Sequence, residues 1–157
     1  MIAPILSAAL LATATPCTGA DLRERSGELQ GATGTMLGVV VVRNVSARRC
    51  ALGGHPQVEL VSIGGRIYVT QERVFALRNT GGHAVTTLAP RHVAVLHLDW
   101  TNWCRSWSGR PGSFRKLFLR VVLTNGSRLT LSVATGRARC DNEKAPSLLY
   151  VSEFASA

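Results

Sequence analysis

Residues 117–133 constrain this chain more than any other stretch. Leu117, Leu119, Val121 and Leu123 recur at every second position, and Leu129, Leu131 and Val133 resume the alternation after a short polar break. A period of two is the repeat of a β-strand with one buried face. The break then fixes a register. A two-residue Asn125-Gly126 loop would set Leu123 opposite Arg128 and mix the buried and solvated faces. A three-residue loop, Thr124-Asn125-Gly126, pairs Val121 with Leu129 and Leu119 with Leu131. It also puts Gly126 last in the loop, where a left-handed residue is needed and glycine is favoured. The three-residue loop is therefore predicted.

The rest of the chain follows the same pattern of short strands and turns. Thr35 to Arg43 (TMLGVVVVR) has four consecutive valines, which suits a strand covered on both faces. Asn44 to Arg49 reads as a turn, and Gly53-Gly54-His55-Pro56 as a second one leading into a strand. Gln57 to Ile63 alternates, with Val58 and Leu60 on one side and Gln57 and Glu59 on the other. Gly64-Gly65 reads as a hairpin turn, Arg66 to Thr70 as its return strand, and Val74 to Leu77 and Val85 to Leu88 as weaker strands. His92 to Trp100 places Ala94, Leu96, Leu98 and Trp100 on one face and Val93, Val95, His97 and Asp99 on the other. Leu148 to Phe154 reads as the last strand. The one helical candidate is Asp21 to Gln30, with two leucines seven apart and an acidic start. The fold class expected is all-β.

With 157 residues, 46% hydrophobic and 17% charged, the chain can bury a core and is not disordered. The opening MIAPILSAALLATATP carries no charged side chain, yet it falls short of the roughly 20 apolar residues that span a bilayer. Ala12-Thr13-Ala14 fits a signal-peptidase site. Residues 1–14 are thus expected to be a signal peptide and 17–155 a single domain, secreted to the cell envelope or beyond it, with no transmembrane segment. Thr15-Pro16 before Cys17 does not form a lipoprotein box. Four cysteines (Cys17, Cys50, Cys104, Cys140) without any C-x-x-C suit two disulfides, and three pairings are open by count alone. The 117–133 hairpin narrows the choice. Cys104 precedes its first strand and Cys140 follows its second, so both lie at one end. Cys104–Cys140 is then the easiest bridge, leaving Cys17–Cys50.

Net charge is +9, with sixteen Arg to two Lys, and from Arg73 to Arg139 ten Arg and Lys116 face one acid, Asp99. A solvated basic surface, drawn from a GC-rich codon set, is one reading. A polyanionic partner, such as a cell-wall polymer or a lipid surface, is the other. Nothing points to specific nucleic-acid binding.

Several segments together resemble a family of small secreted or lipoprotein β-sandwich domains, mostly actinobacterial, known as a domain of unknown function. They are Cys17-Thr-Gly-Ala-Asp-Leu22, Asn44-Val-Ser46 with Cys50-Ala-Leu52 and Gly54-His-Pro56, Leu88-Ala-Pro90, Trp100-Thr-Asn-Trp-Cys104, and Arg139-Cys140-Asp141 followed by Leu149 to Phe154. The resemblance implies an immunoglobulin-like antiparallel β-sandwich with the same two sequential disulfides, and it implies no activity. The sequence departs from the family at Arg91, where the turn usually has Gly, and at His55, where an aromatic is usual.

Catalytic and metal chemistry find little support. His92 and His97, five apart, fall on opposite strand faces, so no metal site is expected, and no motif calls for a cofactor. His97 and Asp99 share a face and a serine would complete a triad, but no G-x-S-x-G elbow accompanies them. A surface pair is the better reading, and a hydrolase the least favoured function. Asn44-Val-Ser and Asn125-Gly-Ser match the glycosylation sequon, with structural roles preferred. The binding candidate is Trp100 to Arg115, a long connection rich in Trp and Arg. Trp100 continues the core face, which leaves Trp103, Trp107, Arg105, Arg110 and Arg115 as candidate binding residues, Trp107 the most exposed. The expected function is non-enzymatic binding of an envelope or extracellular partner, an anionic polymer, a lipid surface or a secreted protein. The alternative is a structural or accessory module.

Overall fold

The computed structural model describes residues 14–32, 34–62, 65–67, 70–73, 85–103, 116–135 and 146–157. Over these the chain is all-β. A 3-10 turn, Gly19–Asp21, precedes twelve strands: β1 (Leu22–Ala32), β2 (Thr35–Asn44), β3 (Cys50–Gly53), β4 (Gln57–Ser62), β5 (Gly65–Ile67), β6 (Thr70–Arg73), β7 (Val85–Leu88), β8 (Val93–Thr101), β9 (Lys116–Val122), β10 (Arg128–Thr135), β11 (Leu148–Val151) and β12 (Ala155–Ser156). Ten form one sheet in the order β5-β4-β9-β10-β1-β2-β8-β11-β6, with β12 also paired to β8; β3 and β7 pair separately.

That sheet is nearly closed on itself. Its two halves join where β1 runs parallel to β10 at Glu28–Ala134 and Leu29–Thr135. Its outer strands, β5 and β6, are separated in sequence by residues 68–69 alone, so the edges must lie side by side. Gln71 bridges the seam: its Oε1 accepts from the Val58 amide at 2.8 Å and its Nε2 donates to the Pro56 carbonyl at 2.8 Å. One side-chain amide thus satisfies a donor and an acceptor that a neighbouring strand would otherwise have to pair. A single core cluster fills the interior, including Leu60, Leu119, Leu131, Val40, Leu96, Trp100 and Leu149.

The 117–133 hairpin has the predicted register. Val121 pairs with Leu129 and Leu119 with Leu131. The Leu123 amide donates to Ser127, the Gly126 amide donates to Leu123, and Gly126 has φ of +80°. The core face of β8 is also as expected, with Ala94, Leu96, Leu98 and Trp100 all buried.

Four expectations need correction. Asp21–Gln30 is not helical: only the 3-10 turn precedes β1. Leucines seven apart would lie on opposite faces of a regular strand, but a bulge between Glu24 and Ser26 resets the phase and buries both Leu22 and Leu29. The β2 valines are covered on one face only. Val40 and Val42 are fully buried, while Leu37 and Val39 are 49% and 39% exposed, because no described residue is stacked on the outer face there. Gly65 pairs with Ser62, so the loop comprises residues 63–64, and the return strand stops at Ile67 before the chain leaves for the opposite sheet edge. The final strand breaks after Val151. Four steps from Val151 to Ala155 oppose three from Leu98 to Val95, an extra residue that takes Ser152–Phe154 out of the ladder. Val74–Leu77 lies outside the described residues.

Candidate functional site

The segment from Asn44 to Pro56 is a structural corner. Cys17 and Cys50 form a disulfide. Asn44 is fully buried and uses its whole amide: Nδ2 donates to the carbonyls of Arg48 (2.8 Å) and Leu88 (3.1 Å), and Oδ1 accepts from the Ser46 amide (2.9 Å) and hydroxyl (2.7 Å). That explains this sequon without a glycan. Asp21 accepts from the Thr18 amide (2.7 Å), the Thr18 hydroxyl (2.8 Å) and Arg48 (2.6 Å). Burial pushes its carboxyl up, but those donors and the Arg48 charge outweigh burial and hold it below the usual range.

The β9–β10 loop docks on the same corner. Asn125 donates to the Cys17 carbonyl at 2.9 Å, Thr124 to the Gly53 carbonyl at 2.9 Å, and Ser127 accepts from the Gly19 amide at 2.6 Å. Gly54 adopts φ of +68°, and a Cβ there would sit 2.9 Å from Thr124 Cγ2. His55 takes up the place of the expected aromatic as a buried imidazole, its Nε2 3.4 Å from Glu153 Oε1. Arg91 adopts φ of +69°, the left-handed conformation that glycine adopts most readily. The His92 amide donates to the Ala89 carbonyl at 3.1 Å, so Ala89-Pro90-Arg91-His92 has the pattern of a type II turn with Pro second and a left-handed third residue.

Of the candidate binding residues, Trp103 is corrected. It is 2% exposed and packs edge-on against Trp100, centroids 6.5 Å apart. A second aromatic ring gives it a core partner, so it offers no free stacking face. Trp107, Arg105, Arg110 and Arg115 lie outside the described residues, as do Cys104 and Cys140. His97 and Asp99 share the outer face of β8, and no hydrogen bond or ion pair joins them among the described residues.

The same outer face carries a feature that sequence reasoning missed. A groove of about 1020 Å³ runs over β1, β2, β8 and β11. Two cross-strand rows floor it: Glu28–Val39–His97, and Gln30–Leu37–Asp99–Tyr150. Ser152 to Ser156 contribute further to its lining. Asp99 Oδ1 is buried with no hydrogen-bond partner among the described residues, and burial pushes its carboxyl above the usual range. The signal was present in TMLGVVVVR: Leu37, Val39 and Val41 alternate with Met36, Val40 and Val42, and Leu37 and Val39 line the groove. Among the described residues no group of three or more His, Cys, Asp or Glu is placed to hold a metal ion, and no helix is long and apolar enough to cross a membrane.

The geometry defines a disulfide-stapled all-β domain with an open groove on one sheet face. Residues 17–152 match the family model described as Domain of unknown function (DUF4232), and the chain belongs to that family. No curated protein matches. Among solved structures, a mutant beta-glucosidase from Listeria innocua in complex with laminaribiose is similar at 14% identity and a TM-score of 0.32, over 74% of this chain and 16% of that one. The chain thus spans about a sixth of that enzyme's length.

Proposed function

We propose that this domain is a secreted, non-enzymatic binding module of immunoglobulin-like sandwich architecture, taking a partner from the cell envelope or the extracellular medium. The observation that carries the reading is the groove with Leu37 and Val39 exposed on its floor. Apolar side chains that face water in a concave surface are a mark of binding sites. The Cys17–Cys50 disulfide supports an oxidising compartment, as does the apolar leader. The short parallel β1–β10 contact, two register pairs long, supports two sheet halves facing each other as a sandwich, and the order of Cys104 and Cys140 about the 117–133 hairpin supports a second bridge between them. A non-enzymatic role is supported by Ser152, the groove serine that meets β8 at His97. Its Oγ accepts from the His97 amide at 2.9 Å and donates to the Glu153 carbonyl at 2.8 Å, so it is already engaged with backbone.

The test is a pull-down of the oxidised domain against cell-wall polysaccharide, anionic vesicles and secreted proteins across a salt series, beside Leu37→Asn/Val39→Thr. Binding that is lost in the double variant and survives moderate salt is expected. Binding that ignores the variant and vanishes over the ~8–10 Å Debye lengths of physiological salt would assign it to the diffuse arginine charge. No binding to any fraction, with the fold intact, would leave a structural or accessory module.

A further inference from the structure

Resting on the groove as a binding site, we infer that its ligand is a small organic cation with an apolar body, held by the Asp99 carboxylate beside Tyr150 and Leu37. Charge is the first ground. The chain carries +9 overall, yet the groove's described lining has three carboxylates, Glu28, Asp99 and Glu153, and no Lys or Arg. The outer face of the sheet is polarised accordingly. Arg23 and Arg43 pair at one end of β1 and β2, and the groove occupies the other end, where Gln30 pairs with Leu37. Among the described residues, an anion entering the groove meets three carboxylates and no Lys or Arg, whereas a cation meets a concave anionic surface on a basic face.

The second ground is the chemistry around Asp99. Its register partners are Leu37 on β2 and Tyr150 on β11. Strands in register stand roughly 4.8 Å apart, so a carboxylate, an aromatic ring and an aliphatic side chain lie within one small ligand's reach. A carboxylate beside an aromatic face suits an ammonium, which gains from the charge and from the ring quadrupole. Leu37 and Val39 then cover the apolar part. Among the described residues the buried Asp99 Oδ1 has no hydrogen-bond partner, so an ammonium donor that reaches this carboxylate would satisfy an acceptor they leave open. Glu153 is already drawn to His55, which leaves Asp99 as the principal anion. The third ground is size: about 1020 Å³ matches the upper end of small-ligand pockets, roughly 300–1,000 Å³.

The test titrates the oxidised protein with benzyltrimethylammonium, benzyl alcohol and phenylacetate, reading the amide resonances of Leu37, Val39, His97 and Tyr150. The cation is expected to shift these resonances and to bind about tenfold more tightly than the neutral and anionic probes, with Asp99→Asn removing that preference. Glu28→Gln, at an exposed site, is the companion variant and lowers cation affinity less. Equal binding of the three probes, or an Asp99→Asn variant that keeps the preference, overturns the cation assignment while the binding reading stands. A Leu37-dependent pull-down with no response to any probe does the same. Shifts produced by protein concentration alone would put a second copy in the groove and also overturn it.

Discussion

Replacing Asn44 by Ala should cost about 3 kcal/mol. The side chain is fully buried and closes four hydrogen bonds, two as donor and two as acceptor. Only the bond to the Leu88 carbonyl is wholly inside; its loss leaves a buried acceptor less well satisfied, worth about 1–3 kcal/mol. The other three involve the Ser46 and Arg48 segment, which water can reach, so each contributes about 0.5–1 kcal/mol at most. Rehydration of that segment offsets part of the sum, which brings the total to about 3 kcal/mol, a large share of a typical 5–15 kcal/mol stability. Asn44→Asp separates geometry from chemistry. It keeps the acceptor for Ser46 but turns an oxygen toward the Arg48 and Leu88 carbonyls, so it should be about as damaging as Ala at neutral pH. It should recover in acid, where a protonated carboxyl can donate. Ser46→Ala, which removes one hydroxyl bond, should cost about 1 kcal/mol. Urea unfolding followed by the fluorescence of buried Trp100 and Trp103 measures all three. An Asn44→Ala midpoint within 1 kcal/mol of the parent, at equal m-value, would refute the reasoning.

Three further outcomes follow from other parts of the fold. Arg91→Gly should stabilise by about 0.5–1 kcal/mol: a left-handed non-glycine residue costs about 1–2 kcal/mol, glycine's extra unfolded-state freedom returns part of that, and the backbone bonds of the turn are kept; an unchanged or lower melting midpoint would argue against the strain. Asp21 has a folded pKa below its ordinary value of 3.8, so its stabilisation is complete above that value and is lost as pH falls through the folded one. Asp21→Asn should therefore be less stable at neutral pH and show a flatter acid limb in a series of urea midpoints. Opening the Cys17–Cys50 bridge, which closes a separation of 33 residues, should cost about 3–4 kcal/mol by loop entropy; Cys17→Ser read by the same unfolding curves would show a far smaller loss if the docked β9–β10 loop holds the corner without it.

Where the sequence could be read, one face of a strand was buried and the other was not. The hairpin at 117–133 and the face of β8 announce themselves because a one-residue slip would turn every core side chain to water. The cysteine corner was legible for a similar reason, since its glycines, proline and cysteine each permit little else. β1 was not, because a bulge shifts the phase by one residue and makes a strand imitate a helix at spacing seven. Closure of the sheet was not legible either: Gln71 bridges the seam through its side-chain amide, and nothing local in the sequence distinguishes it from any surface Gln.

The site failed to be read for a more instructive reason. Aromatic and arginine content drew attention to 100–115, yet Trp103 proves to be core, since its ring packs against Trp100. The groove was hidden inside a run of valines and leucine, where an apolar residue facing outward looks the same in sequence as one facing a second layer. Only the three-dimensional arrangement shows that Met36, Val40 and Val42 fill the interior while Leu37 and Val39 have no described layer over them. A strand apolar on both sides, in a sheet open on one, is where such a scaffold presents a binding surface. The carboxylates of Glu28 and Asp99 on the flanking strands then set the sign of what can enter, against the sign of the chain as a whole.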